Sequence, residues 1–196
     1  VQILTLDAES NGLSGQAFAV AALWTRDDAS VLDTLVLRCP ILRDYRQHPH
    51  TEGINPWVVE NVLPALADQE ETHDDYESMC AALREWWEAG PAVARLTSAS
   101  PPLVLGHVTW PVEARLLLDV FPDDDAILTS GPLPLLDLSS LLTQARYYNT
   151  ISAGSYATDH GLDVAADAER LGLPAAVHHP LYDDLVTDRV ARHLLA

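Results

Sequence analysis

Cysteine is scarce in this chain, with only Cys39 and Cys80 among 196 residues, and the pair matches no metal-ligand spacing. That excludes a disulfide scaffold and a thiolate zinc centre, and leaves two thiols buried in apolar surroundings. Positive charge is scarce too: 11 basic residues face 29 acidic ones, for a formal charge of −18. Such a surface repels a polyanion, so a grip on nucleic acid needs bound cations or a local basic patch. No run of 18 apolar residues occurs, which excludes a transmembrane helix, and no signal-peptide pattern, internal repeat or low-complexity stretch stands out. The expectation is a soluble cytoplasmic protein. Apolar residues make up 48% of the chain, with five Trp, which argues against disorder. The length suits a single domain over residues 1–196 with a hydrophobic core.

The chain is organised around its first strand. Residues 2–7 read Gln-Ile-Leu-Thr-Leu-Asp, with a turn signal at Asn11-Gly12. Side chains alternate along a strand, so Asp7 and Glu9 share a face. Two carboxylates side by side repel, and a divalent cation is the usual means of making that arrangement favourable. Taken alone, the pair reads as two solvated acids at a strand end.

Residues 16–25 and 31–38 read as further strands, and short connections make the three an antiparallel meander. Residues 40–55 are loop-like, and His48-x-His50 reads as surface histidines without a third ligand. Pro56 opens a helix through Leu63, and a second runs from Asp74 to Glu88, capped by Thr72 or Asp74. A short strand, Leu103–Gly106, leads to a helix from Pro111 that ends at Pro122. Asp123-Asp124-Asp125 reads as an acidic solvated turn. Leu133–Asp137 is a strand, followed by a helix through Ala145. Residues 147–161 read as a polar loop, Asp163–Leu171 as a helix closed by Gly172, and Pro180–Leu194 as the last helix. The fold class is therefore α/β: a mixed central sheet, three antiparallel strands first and βα units after, flanked by helices.

In order and placement, several segments resemble the DEDD 3′–5′ exonucleases of the ribonuclease H-like (DnaQ-like) superfamily, in the subgroup with a catalytic histidine. Asp7-Ala8-Glu9 at the end of strand one matches the first motif, and Asn11-Gly12-Leu13 trails it as in that family. Gly106-His107 begins the second motif. Val112-Glu113-Ala114-Arg115-Leu116-Leu117 falls where its Phe-Asp and helix stand, with Glu113 for Asp and one residue of shift. His178-His179-Pro180-Leu181-Tyr182-Asp183 matches the His and Asp of the third motif. A slip of one, to His179 and Asp184, keeps the same spacing; Leu181 favours the first pair. Leu135-Leu136-Asp137-Leu138 is similar to the strand between motifs two and three, and Trp57–Pro64 to a segment of small bacterial exoribonucleases.

The resemblance implies a ribonuclease H-like fold and hydrolysis of phosphodiester bonds from a 3′ end, releasing nucleoside 5′-monophosphates. It implies that Asp7, Glu9, Glu113 and Asp183 hold two divalent cations, Mg²⁺ or Mn²⁺, and that His178 is the general base. Asn11, Gly12, Leu13 and His107 would meet the substrate, a 3′ end of DNA or RNA. The residue types fit: hard oxygen donors suit these ions, and histidine suits a base near neutral pH. Arg115, Arg146, Arg189 and Arg192 are the candidate cationic contacts. A membrane partner is not expected, and a homodimer is compatible with the sequence. Glu113 in place of Asp and the strong acidity favour one rival reading, a catalytically silent ribonuclease H-like binding module.

Overall fold

The computed structural model describes residues 1–98, 101–147 and 152–196. Strand β1 (Ile3–Ser10) lies in the middle of a five-stranded sheet of order β3-β2-β1-β4-β5. The others are β2 (Ala17–Thr25), β3 (Val31–Arg38), β4 (Leu103–Gly106) and β5 (Leu135–Asp137). β1, β2 and β3 pair antiparallel, whereas β4 and β5 run parallel to β1. This is the mixed sheet expected from three short connections followed by βα units. Leu4, Leu6 and Ala8 of β1 enter one core; Ile3 enters the other, on the face it shares with Thr5, Asp7 and Glu9.

Helices α1 (Tyr76–Ala89), α2 (Pro91–Thr97), α3 (Val112–Val120) and α4 (Asp124–Thr129) come before β5. After it come α5 (Leu138–Gln144), α6 (Ala153–Asp159), α7 (Val164–Leu171) and α8 (Pro180–Leu195). Met79, Leu83 and Trp87 of α1 and Leu116, Leu117 and Val120 of α3 fill the first core. Leu181, Leu185 and Val190 of α8 fill the second, with Leu138, Leu142, Tyr156 and Val164 of α5–α7. No helix among the described residues is long and apolar enough to cross a membrane. Cys39 and Cys80 are buried free thiols, and burial lifts each to about 11.

Several expected elements differ. The helix expected from Pro56 is a π-helical segment over Val58–Val62. The cap of α1 is Asp75, whose side chain accepts from Ser78 N–H; Thr72 instead bonds both backbone groups of Arg38 on β3. Asp123 caps α4, so the three-aspartate run opens a helix; its side chain accepts the N–H of Ala126. α2 was not expected, and β5 begins at Leu135, past Pro134. The expected loop 147–161 contains α6; its residues 148–151 lie outside the described ones.

α8 is fixed to the sheet by a buried ionic cluster. Asp188 is fully buried; it accepts from Thr25 Oγ1 at 2.6 Å, from Arg192 Nε at 3.1 Å and from Arg189 Nη1. Arg189 Nε also reaches Asp167 of α7 at 2.6 Å, so one cluster joins α7, α8 and β2. Removing one member strands the others in low dielectric, at a typical cost of about 3–5 kcal/mol. Asp188→Ala is expected to lower the unfolding free energy by about that much in urea titrations. Thr25→Val, which removes a hydroxyl between Asp188 and Ile3 O, should cost less, about 1–2 kcal/mol.

Candidate active site

β1 runs on past its neighbour. Its pairing with β4 spans Ile3–Thr5 against Leu103–Leu105, and beyond that the strand edge lies open. Glu113, in the first turn of α3, fills that edge: its Oε1 accepts the Ala8 N–H at 3.4 Å, and the side chain is only 5% exposed. Across β1, Asp7 stands opposite Ala21 and Glu9 opposite Ala19. A register irregularity between Glu9 and Ser10 ends the regular pairing just beyond the second one.

The α8 side supplies the rest. Pro180 holds the first helical position, which its missing N–H and fixed φ suit. That makes His179 the N-cap, buried with its Nδ1 lacking a partner among the described residues. His178 stands one residue earlier at φ +66° and turns into the cleft. Its backbone N–H donates to Asp183 Oδ2 at 3.0 Å, and its Nδ1 lies 3.9 Å from the same oxygen. The edge of Trp57 meets the His178 ring at 4.9 Å between centroids, nearly perpendicular. One ligand atom each from Glu9, His178 and Asp183 falls within 4.8 Å of the others. Asp7, Glu9, His107, His178 and Asp183 all line one open cleft of about 810 Å³.

The electrostatics follow from enclosing like charges. Asp7 is raised well above the ordinary carboxylate range, first by burial and then by Glu9, Asp183, Glu113 and Asp184. Burial lifts Glu9 to about 8, helped by Asp183 and Glu113. Burial also lifts Asp183 and Glu113 to about 7 each, against hydrogen bonds that pull the other way. Asp184 lies beneath, 1% exposed and raised by burial, an effect the Thr5 hydroxyl offsets only in part. His178 is lowered by burial, which disfavours its charged form. Divalent cations fit this donor set: hard oxygens in excess of any counter-charge, with an imidazole beside them.

The other sequence candidates lie around the cleft. Asn11 is 7% exposed; its Nδ2 donates to Leu42 O at 3.0 Å and Gly53 O at 2.9 Å, and its Oδ1 accepts from Asn55 N at 2.7 Å. It pins the 42–55 loop that leads to Trp57. Gly12 takes φ +79°, where a Cβ would come within 2.8 Å of Asn55 Nδ2, and Leu13 is 73% exposed at the turn. Arg189 and Arg192, read as candidate cationic contacts, are instead held in the Asp188 cluster. Two features of the cleft escaped sequence reading, Trp57 beside His178 and the start of α6. The signal for α6 was present: Ser152 caps it, and Ala153, Tyr156 and Ala157 recur at helical spacing and are buried.

The raised carboxylates have a pH signature. A group raised on folding stabilises fully below its unfolded value and loses that contribution as pH climbs through its folded value. For Glu9, Asp183 and Glu113 that window runs from about pH 4 to 8. Asp28, Asp75 and Asp167 are lowered, so their opposite effect falls below this window, whereas the lowered His178 and His179 oppose the trend up to about pH 6.5 and leave the fall clearest above it. In EDTA the melting temperature is expected to fall between about pH 5 and 8, and Mn²⁺ to restore it at the upper end. Asp7→Asn should flatten the slope. Scanning fluorimetry over that range reads all three, and a melting temperature that rises with pH would refute the assignment.

No protein-family model matches the chain, and no curated protein does. Solved structures do match. E. coli exonuclease I in complex with a dT13 oligonucleotide has 14% identity and a TM-score of 0.58, with 98% of this chain and 40% of that one covered. The zinc-bound form of the E. coli exonuclease I complex with single-stranded DNA has 15% identity and a TM-score of 0.60, covering 97% and 39%. An exonuclease I structure that addresses how processivity is achieved has 15% identity and a TM-score of 0.58, covering 99% and 40%. The chain thus spans about 40% of the length of these structures. At such identities the likeness is one of fold: this chain has the ribonuclease H-like α/β fold found within E. coli exonuclease I.

Proposed function

We propose that this chain is a metal-dependent 3′–5′ exonuclease acting on a single-stranded 3′ end and releasing nucleoside 5′-monophosphates. The observation that supports it is the meeting of Asp7, Glu9, Asp183 and His178 in one open cleft, with Glu113 against the same strand. Asp7, Glu9, Glu113 and Asp183 would hold two divalent cations, Mg²⁺ or Mn²⁺, which when bound supply charge relief to the phosphate and to the departing 3′ oxygen. DNA is the first substrate to test, because the exonuclease I neighbours carry dT13 and dA16 strands.

The protein's own groups divide the remaining work. His178 takes the proton of the attacking water as the new oxygen–phosphorus bond forms and the bond to the 3′ oxygen breaks. Its lowered basicity keeps the ring unprotonated and ready to accept. The backbone bond from His178 N–H to Asp183 and the Trp57 edge limit how the ring swings. The cleft is open, so His178 passes its proton on to solvent, the departing 3′ oxygen takes one from solvent to become a hydroxyl, and the mononucleotide leaves by the same mouth. The enclosed carboxylates repel one another without cations, which makes their ionised form dependent on cation binding.

A 5′-labelled single-stranded oligonucleotide, as DNA and as RNA, incubated with Mn²⁺ or with EDTA, tests this. A ladder shortening from the 3′ end is expected, absent in EDTA and absent with Asp7→Ala. His178→Ala should retain Mn²⁺ binding by calorimetry while kcat falls about 10²–10⁴-fold. Mn²⁺ binding without any shortening on either strand would instead favour the silent binding module.

A further inference from the structure

A second cleft lies against the β1–β2 turn. It measures about 480 Å³ and is lined by Asn11, Ser14, Arg43, Tyr45, Arg46 and His48, among others. All eleven basic residues of the chain are arginines. Most serve the architecture: Arg38 and Arg95 bond backbone carbonyls, Arg189 and Arg192 hold Asp188, and Arg84 and Arg170 pair on helices. Three gather here. Arg43 and Arg46 line the cleft, and Arg115 donates to the carbonyls of Ser14 and Gly15 on its wall.

We infer that this second cleft receives the phosphates of a single-stranded nucleic acid upstream of the bond being cut, an assignment that rests on the exonuclease reading of the first cleft. Arg46 is exposed, with no ion pair among the described residues. Arg43 Nη1 donates to the Glu52 carboxylate at 2.9 Å and to the Glu52 carbonyl at 3.0 Å, but both side chains are exposed, 41% and 83%, so a phosphate can replace the carboxylate at little cost while the carbonyl bond orients the guanidinium. Asp44, the acid on the cleft wall, is turned to the backbone, accepting the N–H groups of Arg46 and Gln47. Tyr45 is 60% exposed between the two arginines and offers a face to a base.

The two clefts are adjacent. Asn11, the residue after β1, lines the second and Glu9 the first, at most about 7 Å apart along the chain. Asn55, bonded to Asn11, leads directly to Trp57 on the wall of the first. A strand with its 3′ end at His178 therefore reaches Arg43 and Arg46 within a few nucleotides. A dinucleotide, the shortest substrate, leaves the least length to extend from the first cleft into the second.

The test compares a dinucleotide with an octanucleotide for the wild type, for Arg43→Ala/Arg46→Ala and for the control Arg170→Ala. The double variant should raise KM for the octanucleotide about tenfold, with kcat and dinucleotide hydrolysis within about twofold of wild type. The slope of log affinity against log salt should fall by about 1.4 units, two phosphate contacts at about 0.7 each on a single strand. Arg170→Ala should match wild type. An unchanged octanucleotide KM, or an equal loss on both substrates, overturns the assignment. If the wild type cleaves neither substrate, the exonuclease reading fails. Fluorescence anisotropy with labelled dT8 then judges the cleft by itself: weaker binding in the double variant upholds it, and equal binding overturns it.

Discussion

Like charge held together out of water is the constraint on which this structure turns. Asp7, Glu9, Glu113 and Asp183 are forced into mutual reach at the carboxyl end of β1, with Asp184 buried beneath them. Nothing in the local chain favours this; left to themselves, these side chains would separate into solvent. The arrangement persists because each carboxylate rides on an element fixed by other forces. Asp7 and Glu9 belong to a strand whose remaining side chains are core. Glu113 is drawn in by the open edge of β1, and Asp183 by a helix tied to β2 through Asp188 and Thr25. Packing remote from the cleft therefore sustains the repulsion inside it, a pattern typical of sites that hold cations or tune proton transfer.

The sheet was legible in the sequence because its signals agree across levels. β1 to β3 are apolar runs separated by turn residues, and their short connections leave antiparallel pairing as the simple solution. The missed pieces are short. α2, α4 and α6 span six or seven residues each, too few for intrinsic propensity to decide, and they form because tertiary contacts or an aspartate or serine cap hold them. The choice between His178 and His179 was open for a related reason. Spacing alone fits both, and what distinguishes them is backbone geometry: Pro180 starts the helix, with His179 as its buried cap and His178 lining the cleft. Trp57 was visible as a residue but not as a neighbour of His178, since nothing local joins positions 121 residues apart in an irregular segment.

Charge poses a second problem, and the arginines bear on it. A chain at −18 has little field with which to attract a polyanion, and the structure commits several of its few cations inward. Arg189 and Arg192 illustrate why sequence cannot assign them. On a helical wheel they look like surface residues of α8, yet a single buried carboxylate, next to one and one turn from the other, draws both in. Binding of nucleic acid by such a protein depends on locating its positive charge well and on neutralising its carboxylates.

Glu113 shows how a departure from an expected pattern can be geometrically consistent. The motif resemblance puts an aspartate near this position, with a one-residue shift along the chain. In the structure the residue lies in the first turn of α3, and its carboxylate spans from the helix to the Ala8 N–H at 3.4 Å, a long hydrogen bond. An aspartate on the same backbone would fall short by one carbon–carbon bond, about 1.5 Å. It would leave the Ala8 N–H unsatisfied beside four acids. The longer side chain thus compensates for the shift in where the helix begins. On this geometry Glu113→Asp is the more disruptive change, although it restores the familiar residue, because reach and not residue type keeps the carboxylate against β1.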